Sequence, residues 1–341
     1  MHCPIFPHRR IFILLLTGLA LYVLVAQLAA LPGFAQPPTP VTHQGQTYLV
    51  EEGRLLELDQ STGATRFIQR IFDPDEVARA YEMRRQIRYR VVGENAWPVI
   101  RNLSFGFENV NSIIDLIKPE TGWSSLTLQG PKAPSVADYV SLRKKILAGQ
   151  SDFLDNRVEP SRLRSYSGEQ SLRLEAMPPS RAMALTKASL DSELLYFTQG
   201  DDFWFSGWFF IQSGTPTSLL DLESSFILNG PGMRVMVSPD RVPRLELKWA
   251  DKPSYRQNIS RPVRLPLQKW FNLRIHFYLS SAQDGRAQLW VDGELVISGA
   301  GQTLPLADTV LDRLELGITA NPPGSQSVLF VDDVQFSDRG W

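Results

Sequence analysis

Residues 271–296 read FNLRIHFYLSSAQDGRAQLWVDGELV, and this stretch decides the fold. In its first half Leu273, Ile275 and Phe277 alternate with polar residues. Alternation with period two is the pattern of a β-strand that buries one face. The dipeptide Asp292-Gly293 further on is typical of a tight turn between antiparallel strands. The stretch therefore predicts consecutive antiparallel strands whose polar side chains share one face of a sheet.

The polar side of this stretch carries an unusual set of side chains. Arg274, His276 and Tyr278 alternate along one strand, and Gln288 and Trp290 take the matching side of the next. Such rows lie side by side in antiparallel neighbours. Aromatic rings stack on the apolar face of a pyranose, and guanidinium or amide groups bind hydroxyls or a uronate carboxylate. The rows predict a carbohydrate-binding groove; the alternative is an ordinary exposed sheet face.

A third polar row is expected beside the first two. The segment RLELKW (244–249) places Arg244, Glu246 and Lys248 on one side and its apolar residues on the other. We therefore add Lys248 to the predicted groove. The segment DFWFSGWFFIQ (202–212) is apolar on both sides, which predicts a central strand covered on both faces.

Short strands separated by turn residues follow one another from about residue 165 to the C-terminus. They include SLRLEA (171–176), SELLYFT (192–198), GMRVMVS (232–238) and SVLFVDDVQFS (327–337). Many strands without intervening helices predict a mainly β protein, an antiparallel jelly-roll β-sandwich over residues 101–341. One inserted helix is expected near residues 135–148, where Ser135 and Asp138 form a capping box.

The N-terminus carries a targeting pattern. Two arginines at positions 9 and 10 precede an apolar run, Ile11–Leu31, and small residues follow it. Residues 1–35 are therefore expected to be a cleaved signal peptide or an uncleaved N-terminal membrane anchor. Both place the rest of the chain outside the cytoplasm, in an extracellular, periplasmic or cell-surface location. Any contact with a membrane is expected only through this segment, if it stays uncleaved.

Residues 36–100 are expected to form a spacer and a small α+β region. The spacer QPPTP is followed by two short strands around Glu52-Gly53, and a helix is predicted to begin at Asp73. The 341 residues carry a net charge of −1, which argues against a nucleic acid partner. The only cysteine, Cys3, precedes the apolar run, so no disulfide is expected in an exported chain.

Several of these segments together resemble a known family. SGEQSLRLEA (167–176), FWFSGWFFI (203–211), the stretch 269–296, LELGI (314–318) and LFVDDVQFS (329–337) are similar to segments of the concanavalin A-like lectins and glucanases. Within that group they resemble the heparin-lyase-like polysaccharide lyases. Laminin-G-like domains contain similar segments. The resemblance implies a concanavalin A-like jelly roll. The lyases carry a Tyr and a basic residue after LELGI, whereas this chain continues with Thr319 and Ala320.

Three functions remain open on these patterns. The favoured one is non-catalytic recognition of an extracellular or cell-wall polysaccharide, with no cofactor required. The second is a polysaccharide lyase, in which Arg274 would neutralise a uronate carboxylate while His276 and Tyr278 transfer protons. The third is a structural or interaction module of the cell envelope. A glycoside hydrolase is not expected, because Asp221 and Glu223 lack the usual third carboxylate and are interpreted as a solvated or metal-adjacent pair.

A structural calcium site is the one metal site considered. FGFENV (105–110) and FVDDVQF (330–336) resemble the first and last strands of carbohydrate-binding jelly rolls, which lie adjacent and hold calcium in some members. The resemblance implies Glu108, Asp332 and Asp333 as ligands. One of the two aspartates is expected to point inward, where calcium or a backbone turn would satisfy its charge.

Overall fold

The structure is a computed structural model that describes residues 98–227, 229–249 and 252–340 with their side chains, and six strands between residues 39 and 98 by their backbone. The chain divides into two compact units, Met1–Ala80 and Tyr81–Trp341. The predicted signal peptide or anchor and the predicted helix after Asp73 lie outside the described residues.

The first unit contains a four-stranded antiparallel sheet. Its strands pair in sequence order, β1 (Thr39–His43), β2 (Gln46–Glu51), β3 (Arg54–Leu58) and β4 (Thr65–Arg70). Strands β2 and β3 flank the predicted turn at Glu52-Gly53. Local pairing of this kind follows from short turns between consecutive strands.

The second unit begins with the hairpin β5 (Tyr89–Val92) and β6 (Asn95–Pro98). Two helices follow within the sandwich, α1 (Ile113–Leu116) and α2 (Val136–Leu147). The strands that build the sandwich are β7 (Leu103–Phe105), β8 (Ser125–Thr127), β9 (Arg157–Ser161), β10 (Ser171–Ala176), β11 (Thr186–Ser192), β12 (Asp202–Ser213), β13 (Ser218–Glu223), β14 (Gly232–Val237), β15 (Pro243–Leu247), β16 (Ser254–Tyr255), β17 (Trp270–Tyr278), β18 (Arg286–Val291), β19 (Glu294–Ala300), β20 (Arg313–Asn321) and β21 (Ser327–Ser337).

These strands form two antiparallel sheets, so the predicted mainly β jelly-roll sandwich is confirmed. The eight-stranded sheet has the order β19-β18-β17-β12-β21-β10-β9, with β7 paired to β21. The seven-stranded sheet has the order β16-β15-β14-β13-β20-β11-β8. Because β12 and β21 lie in the middle of one sheet and β13 and β20 in the middle of the other, sequence-distant strands meet at the centre of both sheets.

One predicted strand was wrong. Residues 192–198 are expected to form a strand, but the strand of this region is β11, which ends at Ser192. Residue Phe197 makes only an isolated bridge to Leu311. The polar sequence TKASLDS of β11 has no clear apolar alternation, and its pairing with β8 and β20 determines its conformation instead.

The core lies between the two sheets. Phe203, Phe205 and Phe209 of β12 face inward from one sheet, and Leu314 and Leu316 of β20 face them from the other. All five side chains are fully buried. Burial of large apolar side chains at about 25 cal/mol per Å² is the main stabilising contribution in such a sandwich.

Strand β12 corrects the expectation that both of its faces are covered. Its phenylalanines are buried, but Trp204 and Trp208 on the opposite side are only half-buried. The outer side of this strand is therefore part of the molecular surface. The two tryptophans stand beside the polar row predicted for β17.

The predicted inserted helix is confirmed as α2. Ser135 caps it, accepting a hydrogen bond from the backbone of Asp138, whose side chain completes the capping box. Leu142 and Ile146 bury its inner side, and the Arg143 guanidinium donates to the Ser125 hydroxyl of β8. These contacts hold α2 against the edge of the seven-stranded sheet.

The predicted Asp-Gly turn joins β18 to β19. Asp292 and Gly293 both have positive φ, +50° and +83°, as a two-residue turn between twisted antiparallel strands requires. The Asp292 carboxylate also accepts a hydrogen bond of 2.8 Å from the backbone N–H of Asn272. The turn is thereby tied to the first residues of β17.

Among the described residues, no helix has the length and apolar character needed to cross a membrane.

A substitution at Gly232 tests the tight approach of β13 and β14. A Cβ atom at Gly232 would lie 1.9 Å from the carbonyl oxygen of Leu222, so Gly232→Ala must push the two strands apart. We expect the melting temperature to fall by about 5–10 °C, as for overpacking by a few kcal/mol in a domain of this size. Tryptophan fluorescence during a thermal ramp measures it. Gly324→Ala, where a Cβ meets nothing within 4 Å, is the control and should cost less despite its positive φ; equal losses would contradict the argument.

Candidate functional site

The predicted polar rows of β17 and β18 do lie side by side. We call the outer surface formed by Trp204, Arg274, His276, Gln288 and Trp290 the aromatic face. Its members are direct partners across the strands: Trp204 with His276, His276 with Gln288, and Arg274 with Trp290. The sequence pattern thus placed four of the five correctly relative to one another.

The rings of the aromatic face pack against each other and against a guanidinium. The His276 ring stacks on Trp204 with 3.9 Å between centroids, and the rings of Trp204 and Trp290 lie 6.1 Å apart. The guanidinium carbon of Arg274 is 5.3 Å from the Trp204 ring and 5.5 Å from the Trp290 ring. Cation–π attraction over both rings restrains the arginine.

His276 is held on both sides. Its Nδ1 lies 2.8 Å from Gln288 Oε1, its Nε2 lies 2.7 Å from Asp202 Oδ1, and the residue is 7% exposed. Both ring nitrogens are therefore engaged, and neither is open to a substrate proton as the ring lies here. The half-buried Tyr278 follows on the same side, paired with Asp202 and Arg286 across the sheet.

Lys248 does not belong to this surface, which corrects the prediction of a third neighbouring row. It follows β15, which pairs with β14 and β16 in the other sheet. Its Nζ lies 2.8 Å from Glu223 Oε1 on that sheet. Alternating polar rows look the same in either sheet, so the sequence pattern alone could not assign the row to the correct one.

Sequence reasoning missed the tryptophans of β12 as members of the surface. In DFWFSGWFFIQ, Trp204 and Trp208 lie four residues apart on one side of the strand, opposite the buried phenylalanines at positions 203, 205 and 209. That alternation was the available signal. Trp208 stacks on Tyr166 with 3.6 Å between centroids, and Trp270 of β17 lies 6.0 Å from Tyr166, so a second aromatic cluster lies further along the same sheet surface.

The outer side of the seven-stranded sheet carries charges instead of rings. A direct cross-strand row runs through Asp191, Glu315, Asp221, Arg234 and Glu246. We call this row, together with Lys187, Glu223, Arg244, Lys248 and Arg313, the charged face. Its four central carboxylates, on Asp191, Asp221, Glu223 and Glu315, are all buried.

Ion pairs across strands satisfy most of these charges. Lys187 Nζ lies 2.9 Å from Glu315 Oε2, and Arg313 bridges Glu315 and Asp191 at 2.8 and 2.7 Å. One oxygen each of Asp221, Glu223 and Glu315 lie within 4.8 Å of one another. Asp221 and Glu223 are buried beside Glu315, so the solvated alternative was wrong. The metal-adjacent alternative stays a prediction.

Two of these carboxyl groups have pKa values pushed in opposite directions. Burial, reinforced by the charge of Glu315, raises the pKa of Glu223 to about 7. Burial would raise the pKa of Glu315 as well, but the charges of Lys187 and Arg313 outweigh it and lower that pKa to about 2. Of these two carboxyl groups, Glu223 is therefore the one that takes up a proton first as the pH falls.

The predicted calcium ligands contact backbone groups. Asp332 Oδ2 accepts from the N–H groups of Tyr166 and Ser167 at 2.7 and 3.3 Å, and burial raises the pKa of Asp332 to about 6. Glu108 Oε1 accepts from the N–H groups of Glu169 and Gln170 at 3.0 and 3.1 Å. Asp332 thus points inward and is satisfied by a backbone turn, as one alternative predicted. Calcium at Glu108, Asp332 and Asp333 stays a prediction.

Comparison with known proteins gives similarity at the level of structure alone. No protein-family model matches the chain, and no curated protein matches its sequence. An endo-β-1,4-glucuronan lyase from the fungus Trichoderma reesei is 12% identical over 54% of this chain and 87% of its own, with a TM-score of 0.44.

Two further solved structures are similar at the same level. Alginate lyase Aly36B, in complex with alginate tetrasaccharide, is 10% identical over 70% of this chain and 97% of its own, with a TM-score of 0.41. Botulinum neurotoxin type C, whose cell entry depends on two ganglioside molecules, is 11% identical over 55% of this chain and 42% of its own, with a TM-score of 0.36. Likeness at this level is not evidence of a shared activity.

The raised pKa of Glu223 predicts a specific pH dependence of stability. Between the ordinary value of 4.5 and about 7, the folded chain keeps the Glu223 proton that the unfolded chain has lost. The free energy of unfolding therefore falls as pH rises through this window. The Glu223→Gln variant has no carboxyl proton at this position, so its free energy of unfolding does not fall in this way. The melting temperature of the variant minus that of the wild type should therefore rise by several degrees from pH 5 to pH 7.5 and then level off.

Glu246→Gln on the same face is the matched control. Burial opposes ionisation of Glu246, but hydrogen bonds and charges from Arg234 and Arg244 outweigh it and hold the pKa of Glu246 below its ordinary value. Its difference from the wild type should stay constant between pH 6 and 8. A constant difference for Glu223→Gln as well would contradict the assignment of the proton to Glu223.

Proposed function

We propose that the second unit binds a polysaccharide through the aromatic face and does not cleave it there. The observation that carries the proposal is the pair of half-buried tryptophans at the sheet surface, Trp204 and Trp290, with the Arg274 guanidinium against both rings. Large aromatic side chains at a sheet surface cost solubility and contribute nothing to the core. A ligand with apolar faces and hydroxyl rims compensates for both features.

The extent of the aromatic surface favours a polymer over a single sugar. Trp204 and Trp208 are four residues apart on one side of β12, which separates them by about 13 Å along the strand. The second cluster, Trp208 with Tyr166 and Trp270, therefore offers a further stacking position beyond the first. Half-buried polar side chains, Ser206 and Asn272, lie between the two clusters and suit hydroxyl groups.

The state of His276 supports binding rather than elimination on this face. A lyase base must reach the proton beside a uronate carboxylate within hydrogen-bond distance. His276 is covered by Trp204 and engaged by Asp202 and Gln288, so its ring is better suited to orient neighbours than to accept that proton. Export of the chain, which the apolar run Ile11–Leu31 predicts, would bring this face to extracellular or cell-wall polysaccharides.

Substitution of Trp290 tests the proposal. Trp290→Ala should weaken retardation in a polysaccharide-containing gel about tenfold or more, since aromatic anchors carry a large share of such binding energy. Leu154→Ala, which removes an exposed apolar side chain next to β9 at the opposite edge of the sheet, is the control and should bind as the wild type does. Unchanged binding by a correctly folded Trp290→Ala variant would overturn the aromatic face as the binding site.

A second candidate function is β-elimination at the charged face. One observation favours it: Glu223 carries a carboxyl group that titrates near neutrality beside the half-buried Lys248. A lyase needs a cation for the uronate carboxylate and a base of suitable pKa, and this pair offers both. Tyr139 of α2 is the candidate proton donor to the leaving oxygen. Burial raises the pKa of its phenol, and the charge of Arg313 opposes that rise.

Absorbance of newly formed unsaturated uronates separates the two candidates. Incubation with alginate, glucuronan and heparin-like polymers should give no increase if the protein only binds. An increase that Glu223→Gln abolishes and Trp290→Ala leaves in place would establish the lyase at the charged face and overturn the non-catalytic proposal.

A further inference from the structure

The segment that runs from Lys252 through β16 to the start of β17 is strongly basic. Residues 252–269 contain five lysines and arginines and no aspartate or glutamate, in a chain whose net charge is −1. All five of these side chains are exposed. We call this segment the basic loop, and its cations are Lys252, Arg256, Arg261, Arg264 and Lys269.

The basic loop is ordered by hydrogen bonds and is anchored at both ends by buried side chains. Tyr255 at its start is 8% exposed and donates a 2.7 Å hydrogen bond to the carbonyl of Gln302. Leu265 near its end is fully buried and donates a 2.9 Å backbone hydrogen bond to Arg241. Between these anchors the Gln257 amide accepts from the N–H of Val263 at 2.8 Å and donates to its carbonyl at 2.9 Å. Residues 258–262 are thus presented as a closed tip.

Among the described residues, ion pairs engage little of the charge of the basic loop. Arg264 approaches Asp240 at 3.6 Å, but both side chains are more than half exposed, so the pair contributes little. Within the described part of the chain, Lys252, Arg261 and Lys269 form no ion pair. On the charged face, by contrast, cations such as Lys187 are paired with buried carboxylates.

The tip of the basic loop adds an apolar side chain to this charge. Ile259 is 53% exposed and lies in sequence between Arg256 and Arg261. The only aromatic residue between 252 and 269 is the buried Tyr255, so the loop offers no ring for a sugar to stack on. An exposed aliphatic side chain among cations suits a surface that has anionic head groups above hydrocarbon.

We propose that the basic loop binds the surface of an anionic membrane. Its cations lie at the phosphate level of the lipid head groups, and Ile259 enters the boundary between head groups and acyl chains. This surface is formed by other residues than the aromatic face, so the inference goes beyond the proposed polysaccharide binding. Export or anchoring of the chain, which the apolar run Ile11–Leu31 predicts, would bring the protein to a membrane.

Hydrogen exchange of the full chain tests the proposal locally, so that membrane binding by the N-terminal run does not obscure the result. We expect vesicles of phosphatidylcholine with phosphatidylserine to slow exchange of amides in residues 256–265 several-fold, and vesicles of phosphatidylcholine alone to leave them unchanged. The double substitution Arg256→Gln, Arg261→Gln should raise the lipid concentration needed for half-protection by about 30-fold.

A charge-matched variant is the control. Arg162→Gln, Arg181→Gln removes two exposed arginines near the opposite edges of the sheets, beside β9 and β11, and should keep the protection. Ile259→Ser should weaken the protection by anionic vesicles without altering the salt dependence of that protection. No protection by anionic vesicles, or equal loss in both double variants, would overturn the proposal. Protection by alginate with none by vesicles would overturn it in favour of an anionic polysaccharide.

Discussion

Each strand of a β-sandwich turns only one side toward the facing sheet, and this constraint determines which side chains form the two outer surfaces. In β12 the phenylalanines at positions 203, 205 and 209 fill the space between the sheets, so Trp204 and Trp208 necessarily stand on the outer surface. In β20 the leucines at 314 and 316 face inward, which places Arg313 and Glu315 outside. Each candidate functional surface is therefore the outer side of strands whose inner side forms the core.

The two outer surfaces use this constraint differently. On the aromatic face, the two tryptophans and the guanidinium of Arg274 are half-buried and form a surface against which a ligand can pack. On the charged face, ion pairs satisfy the buried carboxylates of Asp191, Glu223 and Glu315, and hydroxyl groups of Ser218 and Thr319 donate to Asp221. Burial of such charges carries a desolvation cost. Buried charges replaced by apolar side chains are often tolerated or stabilising, so this arrangement indicates a need beyond stability. The exchangeable proton of Glu223 is its most distinctive property.

The sequence predicted features that depend on neighbouring residues better than features that depend on pairing between distant segments. The alternation of 271–296, the Asp292-Gly293 turn and the Ser135 cap act between near neighbours, and all three are confirmed. Lys248 was assigned to the wrong surface because strand order across two sheets depends on pairing between distant segments. Burial of Asp221 and Glu223 was missed for the same reason, since Glu315 lies more than ninety residues further along the chain. Propensity also failed at β11, where two neighbouring strands determine the conformation.

A crystal structure with a bound oligosaccharide, such as a glucuronan or alginate hexasaccharide, tests the central claim most directly. The account predicts a pyranose ring stacked at Trp290 of the aromatic face, with its hydroxyl or carboxylate groups near Arg274 and Gln288. An oligosaccharide found only along the charged face, or none on the sandwich at a concentration where binding in solution is saturated, would contradict it.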